Sequence, residues 1–281
     1  MQGEKCPYCG EPFEVKEITT LGHTMRIPMA RCDCAKKKKQ QEEEEIRQRK
    51  KHDKVMEYYR WCDIGERLQD CWFENFTPKD YNKKLYEFAK KYASEFESFA
   101  SKGLGAVFTG PVGVGKTHLA VSVFREIMMR NHTAIFVRFT DLITRMEEAR
   151  SYTATDSVTD LVNFFNAAEF CVLDDVGSLH ASDIVRDFLY KIVDGRYQHK
   201  KPTLVTTNLD ETLMKNTLGE RIYDRLAGSS LFVSADGPSE RSVKRGEDVA
   251  EILGSIKNGE SAEIKAKKQK FLAFSDPRTA C

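Results

Sequence analysis

The chain has 281 residues, 41% of them hydrophobic and 31% charged, with a formal net charge of +1. That length buries a real core and holds one large α/β domain plus a small appendage, and the near-neutral balance does not by itself demand nucleic acid, although a local basic face fits within it. No apolar run approaches the roughly 20 residues of a bilayer span, and no apolar leader follows Met1, so a cytoplasmic protein with no membrane association is expected.

Four of the eight cysteines, Cys6, Cys9, Cys32 and Cys34, fall at the start of the chain. Without an export signal, clustered cysteines point to metal before disulfides. Cys6-Pro7-Tyr8-Cys9 and Cys32-Asp33-Cys34 offer four thiolates to tetrahedral Zn²⁺. The C-x-C knuckle is tighter than the usual C-x₂-C, so His23 stands as an alternative to Cys34. So short a segment has little core, and metal binding would fold it; a redox pair is the competing reading. Residues 1–35 are therefore read as a zinc-binding module.

Residues 36–64 read as a charged helical linker. Lys36–Lys39 precede Glu42–Glu45 and then Arg47, Arg49, Lys50 and Lys51. Glu43/Arg47 and Glu45/Arg49 lie four apart in the favourable order for a solvated helix. The same charges would also serve as a contact surface for a partner or for nucleic acid.

A single globular domain is expected over residues 65–243, with a C-terminal tail, 244–281, that matches nothing recognisable. Phe73, Phe76, Tyr81, Leu85, Phe88 and Tyr92 suggest a helix packed on a core. Strands are predicted at Ala106–Thr109, Ala134–Arg138, Phe170–Leu173, Thr203–Thr207 and Leu231–Val233. Helices are predicted at His118–Arg130, Leu142–Arg150, Leu161–Phe165 and around Ile184–Val193, where Ile184, Val185, Phe188, Leu189, Ile192 and Val193 form one face. Alternating strands and helices mean right-handed crossovers and a mostly parallel sheet, with ligands at the carboxyl ends of its strands.

One such end carries Gly110-Pro111-Val112-Gly113-Val114-Gly115-Lys116-Thr117, a full G-x-x-x-x-G-K-[ST] phosphate loop between a strand and a helix. Its glycines let backbone N–H groups turn inward around the phosphates of ATP, and the helix adds its positive dipole end. Lys116 is placed for the β- and γ-phosphates and Thr117 for Mg²⁺. Downstream, Phe170-Cys171-Val172-Leu173 ends in Asp174 and Asp175. Asp174 is placed to hold Mg²⁺, and Asp175 to orient or deprotonate the attacking water. Asn208, ending the next strand, is a candidate contact to the γ-phosphate and that water. Arg221 and Arg225 lie four apart on a predicted helix, where they offer a finger to a neighbouring subunit's nucleotide, or are a surface pair or salt-bridged to Asp224 or Glu220. Arg241 is a candidate contact from its own subunit.

Together these residues resemble the DnaC/DnaI-type helicase loaders and the related IstB-type ATPases of the AAA+ class. The resemblance runs over about residues 65–242. It rests on the phosphate loop continuing into His118-Leu119-Ala120, then Leu173-Asp174-Asp175-Val176-Gly177, Arg196-Tyr197, Pro202-Thr203, Thr206-Thr207-Asn208 and Gly219-Glu220-Arg221-Ile222-Tyr223-Asp224-Arg225-Leu226. Asp70-Cys71-Trp72-Phe73-Glu74-Asn75-Phe76 is similar to the aromatic lead-in of the same proteins.

The resemblance implies a P-loop sheet sandwiched by helices, with Asn208 as sensor 1, Arg225 as the arginine finger, Arg221 as its partner or substitute, Arg241 as sensor 2, and His118 beside the nucleotide. It implies a head-to-tail oligomer and a zinc module that engages a replicative DnaB-type helicase to be loaded onto single-stranded DNA. Most AAA+ proteins carry Glu where Asp175 stands, and the shorter side chain fits slow, switch-like hydrolysis. No helical lid is evident after Arg241. The rival readings are a transposition ATPase working with a transposase on duplex DNA, a small-molecule kinase, and a zinc adaptor whose ATP site does not turn over.

Overall fold

The computed structural model describes residues 5–20, 23–29, 32–62, 64–151, 157–178, 182–239 and 249. The chain divides into two compact units, residues 1–60 and 61–281. None of the helices among the described residues is long and apolar enough to cross a membrane.

The first unit opens with a tight turn in which the Gly10 amide donates to the Cys6 carbonyl and the Cys6 amide to the Glu11 carbonyl. An antiparallel hairpin follows, β1 (Glu14–Thr20) with β2 (His23–Met29), paired from Glu14↔Met29 to Thr20↔His23. This hairpin was not foreseen: β2 alternates Met25, Ile27 and Met29 with Arg26 and Pro28, but β1 mixes charged with apolar residues and shows no matching alternation. Helix α1 (Cys34–Trp61) realises the expected charged helix, 28 residues long. Its ion pairs are Lys38–Glu42, Lys39–Glu43 and Arg47–Glu44 rather than Glu43/Arg47 and Glu45/Arg49. Such exposed pairs are separated by little energy, so the exchange of partners costs almost nothing.

The second unit is built on a five-stranded sheet. Two 3₁₀ turns (Glu66–Leu68, Phe73–Asn75) lead into α2 (Lys83–Ser94) and α3 (Phe96–Ser101). Phe73, Phe76 and Tyr81 therefore lie ahead of the helix on which the sequence had placed them. Next come β3 (Gly105–Thr109), α4 (Lys116–Met129), β4 (Ala134–Arg138), α5 (Phe139–Ala149), α6 (Val158–Ala167) and β5 (Phe170–Asp174). Then follow α7 (Asp183–Gln198), β6 (Thr203–Thr207), α8 (Glu211–Leu218), α9 (Glu220–Ser229) and β7 (Ser230–Ser234). The strand order is β4-β5-β6-β3-β7, with every pairing parallel.

Strands β3, β4, β5 and β6 are almost wholly buried, as expected of parallel strands covered on both faces. Ala106, Phe108, Phe136, Phe170, Val172 and Leu204 join Leu85, Tyr92 and Phe96 and the α4 residues Leu119, Val123 and Ile127 in one core. The intervening strand residues, Val107, Val137, Leu173 and Val205, point to the opposite face by the two-residue strand period. On α7, Val185, Phe188, Leu189, Ile192 and Val193 are buried as expected, whereas Ile184 is exposed.

One buried cation organises the end of the sheet opposite the phosphate loop. Arg196 is wholly enclosed, and its guanidinium donates to the carbonyls of Phe165, Ala168 and Pro202 and to Thr203 Oγ1 at 2.6–3.0 Å. It thereby ties the end of α6 and the start of β6 to α7. A planar five-donor fork suits this carbonyl cage in a way that an ammonium would not.

Candidate nucleotide and metal sites

The tips of β3, β5 and β6 are neighbours in the sheet, and the residues singled out from sequence converge there. After Thr109 the chain turns through Gly110–Gly115 into α4, which begins at Lys116, two residues earlier than predicted. Lys116 and Thr117 thus lie in the first helical turn. Two glycines are obligatory. At Gly110 (φ 135°) a Cβ would sit 1.9 Å from the Ala235 carbonyl oxygen, and at Gly115 (φ 102°) it would sit 2.5 Å from the Phe76 ring. Side chains are excluded from both places by neighbouring protein atoms, and both backbones are left-handed, so only glycine fits the turn.

The segment before α2 braces this loop. Asn82 is buried and donates from Nδ2 to the Val114 carbonyl at 3.1 Å. The His118 imidazole meets the Trp72 carbonyl at 2.8 Å and the Phe76 ring edge-on at 5.1 Å. His118, expected beside the nucleotide, has its ring packed on the lead-in. The Arg125 guanidinium lies over the Trp72 ring at 4.4 Å and donates to the Leu68 and Gln69 carbonyls. The aromatic lead-in is therefore a clamp on the loop and α4.

The Lys116 ammonium, 7% exposed, donates at 2.7 Å to the Gly110 carbonyl, the Pro111 carbonyl and Asn208 Oδ1. Asn208 Nδ2 donates at 3.0 Å to Asp175 Oδ1. Lysine, asparagine and second aspartate thus form one hydrogen-bonded chain across three strand tips. Asp174 is buried, which pushes its carboxyl above the usual carboxylate range. Hydrogen bonds from Thr206 and Thr117 oppose that rise, and the Asp175 charge adds to it. A buried carboxylate touching the Thr117 hydroxyl is a donor set that fits a hard, oxygen-seeking cation. The glycine turn, the Lys116 ammonium and the N-terminus of α4 fit a polyphosphate.

Arg225 lies on α9, where its Nε donates to Asp194 Oδ1 at 2.7 Å and its Nη1 to Asp224 Oδ2 at 3.0 Å, with the guanidinium 5.0 Å from the Tyr197 ring centre. The Arg225 hydrogen bond holds the Asp194 carboxyl below its ordinary range. Arg221 and Arg225 share the lining of a hollow of about 510 Å³ with Tyr190, Lys215 and Tyr223. The salt-bridge reading of Arg225 is thus realised within the chain, with Asp194 as a partner that spacing did not reveal. Arg241 lies outside the described residues, as does the stretch in which a lid was sought.

In the first unit, the sulfurs of Cys6, Cys9, Cys32 and Cys34 all lie within 4.8 Å of one another. Four thiolates around zinc at about 2.3 Å stand about 3.8 Å apart, so the set fits a tetrahedral ion. His23, the alternative ligand, is not in this group; it opens β2 opposite Thr20. Hydrogen bonds from the Tyr8 and Cys9 amides lower the Cys6 thiol to about 7, while burial and neighbouring thiols push those of Cys9, Cys32 and Cys34 up.

Comparison with known proteins agrees with this architecture. The chain is 32% identical over 188 residues to the replicative helicase loader DnaC of Buchnera aphidicola (Schizaphis graminum strain), covering 66% of this chain and 75% of that protein. It is 29% identical over 182 residues to the replicative helicase loader DnaC of Escherichia coli K12, covering 64% and 73%. A crystal structure of the DnaC helicase loader superposes with a TM-score of 0.56 at 24% identity, over 61% of this chain and 99% of that one, which establishes the AAA+ fold. A family model described as IstB-like ATP binding protein matches residues 40–247. With most of its length matched, and with the phosphate loop, paired aspartates and sheet order in place, this chain belongs to the IstB-like ATP-binding protein family.

Proposed function

We propose that the protein is an ATP-dependent replication factor that loads a DnaB-type replicative helicase onto single-stranded DNA. The observation that carries this reading is kinship at about 30% identity, over about two thirds of the chain, with proteins named replicative helicase loaders. Gly110–Thr117 hold the triphosphate and Lys116 grips its terminal phosphates. Thr117 and Asp174 hold Mg²⁺, which when bound neutralises phosphate charge. Asp175 orients the attacking water and Asn208 reports on the γ-phosphate. The hydrogen-bonded path Lys116–Asn208–Asp175 supports these roles, because oxygens that draw the ammonium away would free Asn208 and change its hold on Asp175. The short Asp175 side chain suits slow turnover.

Subunits associate head to tail, and Arg225, assisted by Arg221, reaches a neighbour's nucleotide after leaving Asp194. Arg241 contacts the nucleotide of its own subunit. Zinc held by Cys6, Cys9, Cys32 and Cys34 folds the N-terminal module, residues 1–35, which grips the helicase. Residues 36–64 link it to the ATPase domain, 65–243, and the tail 244–281 is left without a role.

Family membership also favours a second reading, a transposition ATPase acting with a transposase on duplex DNA. Co-purification of intact protein, and of protein lacking residues 1–60, with candidate replicative helicases and with transposases separates the two. The loader reading expects helicase capture by the intact chain and its loss on truncation. Capture of transposase alone would overturn it.

A further inference from the structure

The ladder between β5 and β6 stops at Leu173↔Val205, one residue short of the paired aspartates. Beyond that point a side chain works beside one remaining backbone bond. Thr206 Oγ1 accepts from the Asp175 amide at 2.8 Å and donates to Asp174 Oδ1 at 2.6 Å. The Thr206 carbonyl accepts from the Val176 amide at 2.9 Å. Thr206 and Asp174 are 1% and 3% exposed, so water cannot substitute for the hydroxyl.

The direction of these bonds is forced. An amide only donates, so a Thr206 lone pair faces Asp175, and the single hydroxyl proton must go to Asp174. That arrangement presents Asp174 with a donor and favours its ionised form. On the other side, Asp175 is one of the few non-glycine residues with a left-handed backbone (φ 57°). Such a conformation persists only where its surroundings hold it, and the held amide of Asp175 is one such restraint. It turns the carboxylate out of the strand direction to meet Asn208. The adjacent Thr207 hydroxyl donates to the Val176 carbonyl and accepts from the Leu209 amide, which shapes the turn without touching either carboxylate.

We propose that Thr206 is the positioning residue for both acidic groups, setting Asp174 for the metal and Asp175 for the attacking water through one hydroxyl. This rests on the roles given to Asp174 and Asp175 above. Thr206→Val keeps the shape and removes the donor and the acceptor together; Thr206→Ser keeps the hydroxyl; Thr206→Ala removes it with less bulk, should the valine variant fail to fold.

The test measures single-turnover ATP hydrolysis, Mn²⁺ affinity in the presence of ADP by electron paramagnetic resonance, and metal-free ADP affinity. Loss of hydrogen bonds of this kind predicts that Val and Ala lower the hydrolysis rate and Mn²⁺ affinity at least about tenfold each. Metal-free ADP binding should hold, and Ser should recover both losses. Val or Ala with normal rate and normal Mn²⁺ affinity would overturn the proposal, as would Ser behaving like Val. Asp174→Asn and Asp175→Asn serve as controls. If they too retain metal binding and hydrolysis, the reading of the aspartates has failed, whereas their failure beside an active Thr206→Val refutes the threonine's role alone.

Discussion

The two units reach order by different physical routes. In residues 61–239 the functional groups stand at the ends of strands whose sides are enclosed in a core, and even the charged Lys116, Asp174 and Arg196 are buried with partners. In the first unit the hairpin leaves Val15 58% and Met25 56% exposed, and four thiols from distant points of the chain converge instead of a core. A two-stranded hairpin is marginal by itself in water. One site is thus a consequence of the fold, while in the other the site is expected to make the fold.

The largest effect should come from attacking that difference directly. A chelator, or Cys32→Ser, is expected to abolish amide-exchange protection in the β1–β2 hairpin while leaving protection in the sheet of residues 105–234 intact. Retained hairpin protection in metal-stripped protein would erase the contrast. Arg196→Met makes the reciprocal cut. It orphans buried carbonyls and should cost about 3 kcal/mol or more of the second unit's stability in urea titrations, with the hairpin's protection unchanged.

The next effect is on binding. Lys116→Ala removes a charged donor from the loop and should weaken Mg-ATP affinity by roughly tenfold to a hundredfold by calorimetry, without touching zinc content. The smallest effect runs the other way in sign. The Asp174 carboxyl has a folded-state pKa raised by burial. Its stabilising balance is therefore complete below the unfolded-state pKa and is lost as pH rises through the folded one, leaving a penalty at neutral pH. Asp174→Asn should remove that penalty and raise the melting temperature of the nucleotide-free protein at pH 7 by a few degrees, an advantage that shrinks in acid. A lower melting temperature at pH 7 would show that the buried charge is better compensated than the hydrogen bonds from Thr206 and Thr117 suggest.

Much of this was legible along the chain because periodicity and loop chemistry are local. The phosphate loop was visible as a motif, and the inner strands as apolar runs with turns at their ends. The strand β5 extends to Asp174, one residue beyond the predicted Leu173, and α4 takes in Lys116 and Thr117. Small boundary shifts of this sort arise because end residues are decided by tertiary partners rather than by propensity. The hairpin β1–β2 escaped notice although Met25, Ile27 and Met29 alternate in β2, because that face stays exposed and β1 carries no matching pattern. Cys6, Cys9, Cys32 and Cys34 were read correctly as one group, because thiol spacing is a signal independent of burial.

The residues that were missed share a property: each acts through a partner far along the chain. Thr206 entered only as part of the Thr206-Thr207-Asn208 stretch, and neither Asn82 nor Asp194 was singled out. No spacing relates Asp194 to Arg225 or Asn82 to Val114, 31 and 32 residues away. The order of the linear sequence, by itself, settled the chemistry at the strand tips: glycines, a lysine, two aspartates and an asparagine in succession. Tertiary structure alone decided which of these groups touch, because hydrogen bonds between β3, β5 and β6 depend on which strands lie side by side, and that is set by the packing of both sheet faces rather than by any short stretch of residues.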